Sequence, residues 1–247
     1  MMAKLVIFDC DGVLINTEEV GYNIISAMLE DAGLVYSREE YVELLSGVTY
    51  KQFFEILHDD FETKTGRALE PSFQEEVNAR LKKAFAEEVK PIDGVVDLLR
   101  TLQAYNIPFA VASNSSRTGL LNKLKATGLY DYFAPHIYSS SDVPNPKPAP
   151  DIYLLTASEM GDYTPYECLV VEDSVTGTMA GAAAGMRVLG LVGEKHRSDR
   201  EESLLRAAGA AGIVKSMAEL RSRILVLTGV REDPSFRPPP PPNAAPQ

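Results

Sequence analysis

The feature that most constrains how this chain can fold is the segment Lys4-Leu5-Val6-Ile7-Phe8-Asp9-Cys10-Asp11-Gly12, an apolar run that ends abruptly in acids and a glycine. The run is too short for a helix, and its Val, Ile and Phe content suits a strand buried on both faces and broken by a tight turn. The predicted strand spans Lys4 to Cys10. Because strand side chains alternate, Asp9 and Asp11 are expected to converge on one side and Cys10 to face the other. Two neighbouring anions are costly unless a cation neutralises them or one stays protonated, and a hard metal ion fits best. Alone, the triplet reads more simply as an acidic turn after a strand.

From Asn16 to about Lys90 the apolar period becomes helical, with Val20, Ile24, Ile25, Met28 and Ala32 on one face and Gly33 as a stop. Further amphipathic helices are predicted over Arg38–Ser46, Lys51–Glu62 and Ser72–Val89. After Pro91 and Gly94 comes a helix through Tyr105. Strands at Phe109–Ser113, His136–Ser140, Cys168–Glu172, Arg187–Leu191 and Ile213–Val214 follow, with helices at Thr118–Thr127, Asp151–Met160 and Thr176–Ala184 between them. Such alternation implies an α/β fold: a parallel sheet with helices on both faces. The expected organisation is a core of residues 1–16 and 91–230, a helical cap of residues 17–90 over the carboxyl ends of the strands, and a disordered Pro-rich tail of residues 231–247 containing PPPPP.

A second apolar strand, Leu169-Val170-Val171, runs into Glu172-Asp173-Ser174. Two strands of one parallel sheet then deliver carboxylates to the same edge, where open α/β sheets bind ligands. Asp9, Asp11 and Asp173 make an all-oxygen set suited to Mg2+, with Glu172 either a direct ligand or a support behind one. Ala112-Ser113-Asn114-Ser115-Ser116-Arg117 ends a strand and starts a helix, so Ser113 and Asn114 fit an anion site, or a plain helix N-cap. In Asn145-Pro146-Lys147-Pro148-Ala149-Pro150 three prolines hold one lysine in a rigid segment, although Lys147 alone also fits a solvated surface position.

Charge narrows the partners. With 24 Lys+Arg against 35 Asp+Glu the net charge is -11, and no dense basic cluster exists to displace counterions, so a nucleic-acid partner is not expected. No apolar run approaches the ~20 residues of a membrane helix. The start of the chain lacks a signal-peptide pattern, and Cys10 and Cys168 form neither a disulfide framework nor a zinc knuckle, so a cytoplasmic protein without membrane partners is expected.

Taken together and in this order, FDCDGVLINTE, SNSS, NPKPAPDIY and VVEDSVTG resemble the four motifs of the haloacid dehalogenase superfamily, in its phosphatase and phosphomutase branch with a helical cap. The resemblance spans about Lys4 to Val192 and implies a Rossmann-like core, an inserted cap and magnesium. It implies Asp9 as nucleophile and Asp11 as general acid and base. It further implies Lys147 and Ser113 on the phosphoryl oxygens with Asn114 beside them, and Asp9, the main-chain carbonyl of Asp11 and Asp173 on the metal. An aspartate at position 11 suits an alcohol leaving group, which argues against dehalogenation and phosphonate cleavage.

Within the branch the sequence is also similar to β-phosphoglucomutases. It departs from them where Tyr50, not arginine, follows Gly47-Val48-Thr49, and where Gly21 stands near an expected histidine. The expectation is therefore Mg2+-dependent hydrolysis of a small phosphate ester of a sugar, sugar acid or polyol, 6-phosphogluconate being one candidate. Gly47 and Val48 are the candidate specificity contacts, with packing between cap helices as the other reading. The rivals are a phosphomutase and an inactive metal-binding module whose proline tail docks SH3 or WW domains. A monomer or weak homodimer is expected.

Overall fold

The computed structural model describes residues 2–45, 50–193 and 199–231. Its strands are β1 (Leu5–Phe8), β2 (Phe109–Ser113), β3 (Ile137–Ser139), β4 (Cys168–Glu172), β5 (Arg187–Leu191) and β6 (Gly212–Val214). Its helices are α1 (Thr17–Ala32), α2 (Arg38–Leu45), α3 (Tyr50–Thr65), α4 (Phe73–Glu87), α5 (Val95–Ala104), α6 (Arg117–Ala126), α7 (Tyr130–Phe133), α8 (Asp151–Glu159), α9 (Val175–Ala183), α10 (Asp199–Ala207) and α11 (Met217–Thr228). The strands pair in parallel in the order β3-β2-β1-β4-β5-β6. This is the doubly wound, Rossmann-like α/β fold.

β1 lies at the centre, with every residue buried. Leu5 and Ile7 join a core cluster with Ile152, Tyr153 and Ala157 of α8 and Ala180 of α9. On the alternate positions, Phe8 meets Phe109 and Phe133 edge to face, at centroid distances of 6.4 and 6.3 Å. Ser116, Ser174 and Ser216 cap α6, α9 and α11, each side chain accepting a backbone N–H of the first turn.

Among the described residues the chain divides into two compact units, Met1–Asn16 with Lys90–Gln247, and Thr17–Val89. The second is helical and has a core of its own, including Ile25, Met28, Leu29, Phe54, Leu57, Phe61 and Val77. Within the first unit the two segments flanking the insertion are stitched together: Ile15 bridges Pro91, and the Lys90 amide donates to Asn16 Oδ1 at 2.7 Å. No helix among the described residues is long and apolar enough to cross a membrane.

One expected boundary needs correction. β1 ends at Phe8, not Cys10, because the amides of Leu14 and Ile15 both take the Cys10 carbonyl and the chain leaves the ladder in a turn, with Gly12 at φ 75°. The alternation that was to align Asp9 with Asp11 therefore does not continue. The sequence reading places no helix where α10 and α11 lie; α10 buries only Leu205 among its described residues. The Pro-rich tail and Gly47, Val48 and Thr49 lie outside the described residues.

Leu5 is fully buried in the central strand. Leu5→Ala is expected to lower the unfolding free energy by about 2–5 kcal/mol, measured by urea denaturation of the two proteins side by side.

Candidate active site

β1 and β4 are neighbours in the sheet but distant in sequence, so their carboxyl ends form the point where the strand order reverses. Phe8 pairs with Val171, and the Asp9 amide continues the ladder by donating to the Val171 carbonyl at 3.0 Å. Asp9 at the end of one strand and Glu172 and Asp173 at the end of the other thus meet. Each offers a carboxylate oxygen, and these oxygens lie within 4.8 Å of one another.

Lys147 reaches into this acidic group from the segment before α8. Its Nζ donates to Asp9 Oδ1 at 2.5 Å, to Glu172 Oε1 at 2.7 Å and to the Ala112 carbonyl at 2.8 Å, so all three protons are used. Asp9 and Lys147 are 8% and 6% exposed and Glu172 is 0% exposed. Burial pushes the Asp9 carboxyl up to about 7, and the Lys147 charge pulls against it. For Lys147 burial works to lower the pKa, but the charges of Asp9 and Glu172 hold it well above the usual lysine range.

Neighbouring groups fix the lysine's place. Asn114 Nδ2 donates to the Lys147 carbonyl at 3.0 Å while the Lys147 amide donates to Asn114 Oδ1 at 2.9 Å. The Tyr153 hydroxyl donates to Glu172 Oε1 at 2.7 Å, and Ser174 donates to Oε2 through its amide and its hydroxyl. Glu172 therefore spends both oxygens on Lys147, Tyr153 and Ser174. Although it lies within reach of the other two acids, this bonding suits the support of Lys147 better than ligation of a metal.

Two glycines leave room for the acids. A Cβ on Gly12 would stand 1.7 Å from Asp173 Oδ2, and one on Gly177 would stand 1.7 Å from Glu172 Oε1. Asp9 and Asp173 offer a compact pair of hard oxygen ligands that fits a divalent cation such as Mg2+.

Asp11 is placed differently from the expectation that set its side chain among the metal ligands. Its carboxylate is gripped by Lys123 and by Ser115 Oγ, at 3.0 Å from the latter, and does not belong to the acidic group. The turn after Phe8 is the cause. Ser113 is buried at the end of β2, where its Oγ accepts the Ser115 amide at 3.1 Å. Sequence reasoning missed Lys123, Ser115 and Tyr153. Nothing in the local pattern distinguishes Lys123 from Lys125, since its burial depends on a residue far away in the chain. Cys10 is buried beside the site, and burial pushes its thiol well up, which disfavours the thiolate form.

A family model described as haloacid dehalogenase-like hydrolase matches residues 6–191. Among curated proteins the chain is 32% identical over 213 residues to a phosphorylated carbohydrates phosphatase of Thermotoga maritima, covering 86% of this chain and 94% of that protein. It is 28% identical to the 6-phosphogluconate phosphatase of Escherichia coli, covering 78% of this chain and 84% of that one. It is also 32% identical to a bifunctional riboflavin kinase/FMN phosphatase of Arabidopsis thaliana, of which it spans only 48%. Among solved structures, a HAD family hydrolase from Deinococcus radiodurans R1 with bound phosphate and sodium superposes with a TM-score of 0.80 at 33% identity, covering 91% of this chain and 96% of that one.

Lys147→Met leaves Asp9 and Glu172 without their buried counter-ion. In the presence of a chelator it is expected to destabilise the protein by about 3–5 kcal/mol at pH 8. The loss should shrink at pH 5. Removing Lys147 removes a charge that pulls the Asp9 pKa down, so the folded variant keeps its Asp9 proton to higher pH than the wild type, whose value is about 7, and the loss grows with pH above that value and is smaller below it. Denaturant unfolding at the two pH values checks this.

Proposed function

This chain belongs to the haloacid dehalogenase-like hydrolase family, and from that premise we propose that it hydrolyses small phosphate esters through a phosphorylated Asp9 with Mg2+ as cofactor. The observation that supports the reading best is the buried Lys147 ammonium bonded at once to Asp9 and Glu172, with Asp173 alongside. A phosphoryl dianion repels a carboxylate nucleophile, and a fixed cation at the attacking oxygen offsets that repulsion before the bond forms.

In this reading an Asp9 carboxylate oxygen attacks phosphorus and the bond to the ester oxygen breaks. Asp11 gives its proton to the departing alkoxide. It then takes a proton from water as that water attacks the aspartyl phosphate, releasing inorganic phosphate and restoring the Asp9 carboxylate. Ser113 holds a phosphoryl oxygen, and Lys147 turns the proton it shares with Asp9 Oδ1 towards another as that oxygen bonds to phosphorus. Asn114 acts one step back, by clamping the Lys147 main chain. Asp9, Asp173 and the main-chain carbonyl of Asp11 would hold Mg2+, whose chemistry when bound is to neutralise phosphoryl charge.

The substrate we assign is a phosphorylated sugar, sugar acid or polyol. Likeness to phosphatases of phosphorylated carbohydrates and of 6-phosphogluconate supports that class. Hydrolysis is favoured over phosphoryl transfer to a second sugar hydroxyl because Tyr50 stands where the mutase pattern has its phosphate-gripping arginine. Gly47 and Val48 of the helical unit remain the assigned specificity contacts.

With Mg2+ present, phosphate release from 6-phosphogluconate and from a panel of sugar phosphates is expected, and Asp9→Asn is expected to abolish it, by at least about 10³-fold. An Asp9→Asn protein with wild-type turnover contradicts the covalent route. If NMR shows glucose 6-phosphate as the main product from β-glucose 1-phosphate, the mutase reading replaces this one.

A further inference from the structure

The core holds a second buried lysine whose partner is the other aspartate of the first motif. Lys123 of α6 is 6% exposed, and its Nζ donates to Asp11 Oδ1 and Oδ2 at 2.5 Å each and to Ser115 Oγ at 2.8 Å. Ser115 Oγ in turn donates to Asp11 Oδ2 at 3.0 Å. Asp11 keeps 35% of its side chain exposed while that of Lys123 keeps 7%, so the carboxylate is held by a buried ammonium and a half-buried hydroxyl and keeps part of its own surface exposed. Burying a lysine stem and fixing its rotamers costs entropy, and the surface of α6 offers it water instead. The bidentate contact with Asp11 is what holds it inward. Together with the Ser115 bond it restricts both torsions of the Asp11 side chain, at the end of a turn that β1 does not itself stiffen.

We propose that Lys123, assisted by Ser115, is a positioning residue that holds the Asp11 carboxyl in the orientation from which the leaving oxygen takes its proton. This rests on the acid–base role given to Asp11 above. Proton delivery matters for an alkoxide, which is a poor leaving group, and hardly at all for p-nitrophenolate, which departs as a stable anion. Losing the positioning therefore penalises alkyl esters selectively. A residue that serves only the fold penalises both kinds of ester equally.

The test is kcat/KM for p-nitrophenyl phosphate and for whichever of glycerol 1-phosphate, glucose 6-phosphate and 6-phosphogluconate the wild-type protein turns over fastest. Lys123→Met is expected to lose about 10- to 100-fold on the alkyl ester and less than about threefold on the aryl ester. Ser115→Ala is expected to move the ratio the same way by about 3- to 10-fold, and it carries the test if Lys123→Met does not fold. The ratio is independent of the fraction of active protein. Equal losses on the two esters in these variants overturn the proposal, provided Asp11→Asn still discriminates between them. If Asp11→Asn also loses equally on both, the role assigned to Asp11 itself is what fails.

Discussion

The contact on which the rest of this structure depends is the Lys147 ammonium, buried between Asp9 and Glu172. Carboxylates brought together at the ends of β1 and β4 repel one another, and with Asp9 and Glu172 buried that repulsion is strong. The lysine resolves it only because it is placed accurately. Asn114 fixes its main chain and Ala112 takes its third proton, while Tyr153 and Ser174 satisfy the remaining capacity of Glu172. The network ties together β1, β2, β4, α8 and the start of α9, so the charge arrangement and the sheet topology specify each other.

The two aspartates of the first motif have been given different surroundings. Asp9 is almost closed off and faces Lys147, whereas Asp11 is partly open and faces Lys123. A nucleophile that must approach an anion needs a cation at its own oxygen and little competing water. A proton donor and acceptor needs a fixed direction and a route to the departing group. The break in the strand after Phe8, with Gly12 in a left-handed conformation, separates these environments within three residues.

Much of this could be read from the sequence, for identifiable reasons. Strands as apolar as β1 and β4 are marked by their continuous hydrophobic runs, and acids at the end of such a run stand out, so Asp9, Glu172 and Asp173 were expected at one sheet edge, where the structure brings them together. Lys147 was distinguished only by its prolines and by resemblance. Lys123 and Tyr153 were invisible because their importance arises from partners distant in the chain: the Lys123 and Asp11 positions differ by 112, those of Tyr153 and Glu172 by 19. Strand alternation does not describe Asp11, which lies in the turn after β1, where the Cys10 carbonyl accepts the Leu14 and Ile15 amides.

In the proposed mechanism phosphorus becomes bonded to Asp9 during turnover. An aspartyl phosphate quenched in the steady state and reduced with borohydride becomes homoserine, which peptide mass spectrometry locates. That mark is expected at position 9 and at no other aspartate, appearing only when substrate and Mg2+ are both present. Brisk phosphate release with position 9 unmodified, or with the mark at Asp11 or Asp173, contradicts it.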